Sequence, residues 1–378
     1  MLINSIIDLT KSLEKKGLMR QRNPIAPKDN RLNFSSSDYL SLKNNKDIKA
    51  AYERGFNLYP VGSTGSMVVC GYHENHKVLE THFAKRLGCD DALVFSSGFA
   101  ANLSIVSLLA KLNANILIDK SAHASFYDGL ALAKASYQRY LHQDLHDLSQ
   151  KLDVNKDNQV VITESIFSMS GSIAELSQLV SLAKKVKADC IVDEAHAFGV
   201  IGDRGLGLVN QENLSQNEVP LRLIPFGKAF ASQGAVVAGK KEWIEALLQV
   251  ARPYIYSTGI SPALTYGLLK TFDFIYQANE RREKLQQLIH YFRQKIAQIN
   301  LKFRDSLTPI QQLQLGDPKL SLKLSSELKL RGILCQAMRQ PTVTKPETGL
   351  RIILNYHHEY EDIDYLFENL LVLNERLL

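Results

Sequence analysis

The chain is poor in cysteine, in like-charge blocks and in long apolar runs. Its four cysteines, Cys70, Cys89, Cys190 and Cys335, fall at no CxxC or CxxH spacing, which argues against a zinc site and a disulfide framework and points to a reducing cytoplasm. No metal site is expected. No stretch of about 18 or more apolar residues occurs, so a membrane-spanning helix is not expected either. Internal repeats and low-complexity tracts are absent. A net charge of +6, from 45 basic and 39 acidic residues, is modest for 378 residues. Neither sign gathers into a block, so no surface for nucleic acid or membrane is indicated, while small anionic ligands remain compatible.

What is present is enough apolar content, 45%, for a large core and for two domains or one large domain with an appendage. At the N-terminus Leu2, Ile6, Leu9 and Leu13 share a helical face, interrupted by Asn4 and Asp8 and followed by no small-residue cleavage site. This reads as an amphipathic helix and not as an export signal. Pro24, Pro27 and SSSDYL mark an extended arm over about 21–45. From about residue 90, the runs DALVF, ANILI, QVVIT and CIVD alternate with amphipathic segments such as LSQLVSLAKKV. That alternation predicts an α/β fold, a mainly parallel sheet with helices on both faces. After about residue 260 a long helical pattern, Tyr276 to Ile299, leads to short strands such as LRIIL and a final amphipathic helix. The expected division is 1–45 (helix and arm), 46–260 (large domain) and 261–378 (small α+β domain).

In a parallel sheet, ligands collect at the carboxyl ends of strands. SSGFAAN, SAHAS, ESIFS, DEAH and FGKAF all lie at or soon after such ends. Asp193 closes an apolar strand, as a turn cap or as a carboxylate facing a crevice. Lys228, between glycine and alanine after another strand, is either a surface lysine at a helix start or a desolvated amine that forms an imine with an aldehyde. Ser97 and Gly98 open a helix whose amides and dipole suit a phosphate, although a glycine there is also ordinary. His123 suits a cap or a stacking partner for a flat ring. An aldehyde, a phosphate and a ring nitrogen needing a carboxylate together describe pyridoxal 5′-phosphate. The DEAH letters also spell a helicase box. Yet GAVVAGKK, the nearest thing to a phosphate loop, follows DEAH when it should precede it, has Lys241 in place of the magnesium-binding Ser or Thr, and reads as a strand.

These residues resemble the α-oxoamine synthases, pyridoxal-phosphate enzymes with an aspartate-aminotransferase-like fold. NFSSSDYLSL, GSTGS, GYHENHKVLE, SSGFAANLS, SAHAS, TESIFSMSG, VDEAHAFGVIGDRGLG, FGKAF, YIYSTGISPA and RQPTV through LRI occur in family order over nearly the whole chain. The resemblance implies that Lys228 carries the cofactor and moves the substrate α-proton, that Asp193 holds the pyridine nitrogen protonated, and that His196 and Ser168 contact the ring hydroxyl. His123 would cover the ring face, and the backbone of Gly98 and Phe99 would bind the phosphate. Arg20 and Thr342 match substrate-contacting positions, with Arg351 as carboxylate anchor. Glu194 is read as structural. RQPTV, YIYSTGISPA and the short length imply the biotin-pathway branch, which condenses L-alanine with a pimeloyl thioester on coenzyme A or an acyl carrier protein, with loss of carbon dioxide. A homodimer with the site between subunits is implied as well. The alternatives are a sister activity such as glycine C-acetyltransferase and a non-catalytic binding protein on the same fold. The chain departs from the family at Ser37, where Asn is common, at Ser170 and Ser172, which replace acidic residues, at Pro225, which replaces a phosphate-binding threonine, and at Thr344 and Pro346.

Overall fold

The alternating runs between residues 91 and 239 form a seven-stranded sheet. Its strands are β1 (Asp91–Phe95), β2 (Asn115–Asp119), β3 (Tyr137–Tyr140), β4 (Gln159–Glu164), β5 (Asp189–Asp193), β6 (Leu221–Pro225) and β7 (Ala235–Gly239). The computed structural model describes every residue except Gln21, Pro27 and Leu378. Pro27 of the expected arm therefore lies outside the described residues. The spatial order is β1-β7-β6-β5-β4-β2-β3, parallel from β6 through β3, with β7 antiparallel to both its neighbours. All six residues of β4 are buried, which requires cover on both faces. β3 has no counterpart in the sequence reading, because three of its four residues are exposed and it carries no apolar pattern.

The chain divides into two units: Ser37–Ser168 with Ile173–Glu283, which holds the large sheet, and Met1–Ser36 with Met169–Ser172 and Lys284–Leu378. The smaller unit contains an antiparallel sheet of β8 (Ile310–Gln314), β9 (Gln336–Met338) and β10 (Gly349–Ile353) in the order β9-β10-β8. The N-terminal helix Leu2–Lys15 forms as its periodicity predicts, with none of its residues buried. The helical pattern expected over Tyr276 to Ile299 forms as the helix Asn279–Ile296, while Tyr276 and Gln277 end a preceding helix, Pro262–Gln277. The first turn of the second helix is tied to the end of the first by Arg282, whose guanidinium donates to the Ile275 carbonyl at 2.7 Å and to Asn279 Oδ1 at 2.5 Å. No helix among the described residues is long and apolar enough to cross a membrane.

The core of the larger unit includes an aromatic cluster that bears directly on Lys228. Phe226 and Phe230, two positions either side of it, are 0% and 1% exposed. Their rings lie 4.9 Å apart and join Phe83, Phe198 and Phe272, with Phe83 and Phe272 edge to face at 4.6 Å. Burying large rings on both sides of the lysine anchors its loop to the core.

Candidate active site

Lys228 lies in the connection from β6 to β7, in a turn and not at a helix start. The Ala231 amide donates to the Lys228 carbonyl at 2.8 Å, Ser232 N to Phe226 O at 2.9 Å, and Phe226 N to Gly234 O at 2.9 Å. GAVVAG is thus strand β7 with its preceding turn, which removes the phosphate loop that the helicase reading needs. The DEAHAFG turn approaches the lysine loop closely. Gly199 has φ +83, and a Cβ there would stand 2.5 Å from that of Ala229, so only glycine allows this distance.

Asp193 ends β5 and is the in-register partner of Glu164 at the end of β4. Opposed residues on neighbouring strands share a face, so both carboxyls leave the same end of the sheet. Asp193 Oδ1 accepts from Ala195 N at 2.8 Å, and Oδ2 from Asn102 Nδ2 at 3.3 Å. Burial raises the Asp193 pKa, and the Ala195 amide, the Lys228 charge, His123 and Asn102 oppose that shift. Burial and the nearby Asp193 charge push Glu164 well above the carboxylate range, against the backbone amides of His123 and Ser168. Two adjacent buried carboxyls do not both ionise readily. Lys228 favours the charged form of Asp193, whereas burial and the Asp193 charge both disfavour that of Glu164.

His123 caps the helix Ala124–Ala133. Its Nδ1 lies 2.7 Å from Ser125 Oγ, which also accepts from Asn102 Nδ2 at 2.9 Å. Burial lowers its pKa, as does the Lys228 charge, while Asp193 acts in the opposite direction. His123 thus serves as a helix cap and also lines the cavity. Ser97 caps the helix Gly98–Lys111 by accepting from Ala100 N at 3.1 Å. Gly98 packs against Pro225, where a Cβ would stand 2.8 Å from the proline Cγ.

Gly98, Phe99, His123, Asp193, His196 and Lys228 line one cavity of about 310 Å³, within the size range of small-ligand sites. Asn102, Glu164, Ser232 and Gln233 line it too and were missed by the sequence reading. Two of these carried a signal. Asn102 is the one amide in a mainly apolar helical run, and Glu164 ends QVVITE as Asp193 ends CIVD. Ser168 does not line the cavity, although its amide serves Glu164. Arg20, Thr342 and Arg351 belong to the smaller unit, Arg351 on β10. Glu194 is structural, as expected: fully buried, it accepts from Ser165 Oγ at 2.8 Å and from the amides of Leu208 and Val209 at 3.0 and 2.9 Å. Among the described residues no cluster suits a metal ion.

The donor set fits pyridoxal 5′-phosphate. Buried Glu164 Oε1 and Asn102 Oδ1 have no hydrogen-bond partner among the described residues, which marks a polar wall that a ligand or water completes. The buried carboxyl of Asp193 suits a protonated ring nitrogen, and the helix beginning at Gly98 offers unsatisfied amides to a phosphate.

The chain belongs to the aminotransferase class I and II family, whose pattern matches residues 29–370. An 8-amino-7-oxononanoate synthase from Pseudomonas savastanoi pv. phaseolicola is 40% identical over 339 residues, covering 90% of this chain and 86% of the relative. The crystal structure of 8-amino-7-oxononanoate synthase from Francisella tularensis is 33% identical with a TM-score of 0.81, over 92% of this chain and 100% of that one. A serine palmitoyltransferase with PLP shares the fold at 23% identity, TM-score 0.90, over 99% and 97% of the two chains.

Proposed function

We propose that this protein is a pyridoxal-phosphate-dependent acyltransferase that condenses L-alanine with a pimeloyl thioester and releases carbon dioxide, the activity of the 8-amino-7-oxononanoate synthases. The observation that carries the reading is the convergence of Lys228, Asp193, His196, His123 and the Gly98 helix start on one cavity. The 40% identity to a synthase of that name supports the choice of substrates.

When bound, the cofactor supplies an aldehyde for amino-acid amines and a ring that accepts the electron pair left by a bond broken at the α-carbon. The Lys228 amine would hold that aldehyde at rest and, when free of it, would take the α-proton of L-alanine. Asp193 keeps a proton on the ring nitrogen and so sustains the ring's capacity for electrons. His123 would cover the ring face, the amides of Gly98 and Phe99 would hold the phosphate, and His196 would hold the ring hydroxyl. Arg351 would receive the amino-acid carboxylate through its planar guanidinium, and Arg20 and Thr342 would contact substrate. The working form is a homodimer with the site completed by both subunits.

The test is a turnover assay pairing L-alanine, glycine and L-serine with pimeloyl, acetyl and palmitoyl thioesters on coenzyme A and on an acyl carrier protein. Carbon dioxide release with L-alanine and a pimeloyl thioester is the expected result. Turnover confined to glycine and acetyl-coenzyme A would establish the sister activity, and cofactor binding without turnover in any pairing would establish a binding protein.

Pro225 lines the same cavity and offers neither a hydroxyl nor an N–H. Pro225→Thr is therefore expected to tighten cofactor binding. A hydrogen bond to a charged group is worth about 1.5 to 3 kcal/mol, which corresponds to roughly ten- to a hundredfold in affinity. Absorbance titration of cofactor-free protein measures it. Unchanged affinity would mean that backbone amides alone hold the phosphate.

A further inference from the structure

We propose that Tyr39 is a positioning residue for His196: its hydroxyl donates to Nδ1, which leaves the imidazole proton on Nε2 and makes that edge of the ring a hydrogen-bond donor. The inference rests on the reading above, in which His196 meets the ring hydroxyl of the cofactor. It adds the residue that decides what His196 can offer there.

Tyr39 Oη stands 2.5 Å from His196 Nδ1, and Tyr39 is fully buried. A neutral imidazole carries one proton, so the partner of one nitrogen determines the role of the other. A phenol held against an imidazole nitrogen with a lone pair is the natural donor. The segment that carries Tyr39 is also held firmly. The Asp38 carboxylate accepts from Leu42 N at 2.7 Å and from Lys43 N at 3.0 Å, closing the turn that carries the tyrosine. Ser41, at φ 55, donates its amide to the Asp38 carbonyl at 2.9 Å. Arg281 donates to the Leu40 carbonyl at 2.6 Å, and the Leu40 and Leu42 side chains are 0% exposed. A segment tied at both ends and anchored by two buried leucines fixes the direction of its one phenol. His196 is 4% exposed, in the turn after β5, and lines the cavity. A hydrogen bond from a rigid neighbour selects one tautomer and one ring orientation, and such outer contacts tune the group that meets the ligand.

Nitrogen-15 imidazole NMR of the full chain, with and without pyridoxal phosphate, reads the tautomer directly. His196 is expected to show the neutral Nε2–H pattern in both forms, and Tyr39→Phe is expected to turn it into a mixture. In cofactor-loaded protein, Tyr39→Phe should move the pH midpoint of the cofactor absorbance band by about one unit, the scale of a single hydrogen bond. That displacement should vanish in a His196→Asn background, which a merely structural tyrosine would not bring about. A parent protein with His196 in the Nδ1–H form would overturn the proposal, as would an equal displacement in the His196→Asn background. If Tyr39→Phe does not fold, the tautomer of the parent decides. A parent that takes up no pyridoxal phosphate would sink the cofactor reading, while the tautomer of the cofactor-free chain would still decide the link between Tyr39 and His196.

Discussion

Lys228→Ala is expected to abolish turnover, leaving less than about one part in ten thousand of the parent rate, the upper range for loss of a positioned proton-transfer group. The variant should still fold, because the lysine loop is anchored by Phe226 and Phe230 and by the backbone bonds of Phe226, Ala231 and Ser232, none of which uses the amine. Borohydride reduction of the parent loaded with pyridoxal phosphate, followed by peptide mass mapping, should place the label on Lys228, and Lys228→Ala should take none. Labelling of Lys240 instead, just beyond β7, would remove Lys228 from its assigned role.

Asp193→Asn is expected to retain cofactor and to lose about a thousandfold in kcat, on the scale of removing one preorganised electrostatic partner of the reacting group. The amide is nearly isosteric, so the hydrogen bonds to Ala195 N and Asn102 that use the side-chain oxygens survive in part. What is lost is the charge. Burial already works against ionisation at this position, and the Ala195 amide and the Lys228 charge offset that effect. A neutral amide gives a ring-nitrogen proton nothing to pair with. The change should fall on kcat with little effect on KM for alanine, because the anion matters most when the ring holds an extra electron pair. Steady-state kinetics beside a cofactor titration separates the two, and parental kcat in the variant would take Asp193 away from the ring nitrogen.

Glu164 shows where the sequence was legible and where reading stopped. QVVITE and CIVD are the same pattern, an apolar run closed by a carboxylate, yet only Asp193 was singled out. That the two carboxyls belong to one cavity depends on β4 and β5 pairing in register, a long-range fact that no local pattern carries. Tyr39 and His196 meet across 157 residues, and nothing in SSSDYL or DEAHAF announces the pairing. The start of the helix Asn279–Ile296 lies three residues beyond the expected Tyr276, because apolar residues of the preceding helix run up to the break at Ala278.

The sequence by itself determined the buried strands, the polar residues at their ends and the capped helix start at Gly98, because each follows from composition within a few residues. A run such as QVVIT cannot remain in water, and Ser97 satisfies an amide three positions on. The tertiary structure decided which strand ends face one another and that the Glu164 and Asp193 carboxyls line one cavity. It also decided that Lys228 lies in a turn braced by aromatic rings and that His196 has Tyr39 behind it. Those outcomes depend on strand order, register and loop closure, which are set by packing between segments far apart in the chain.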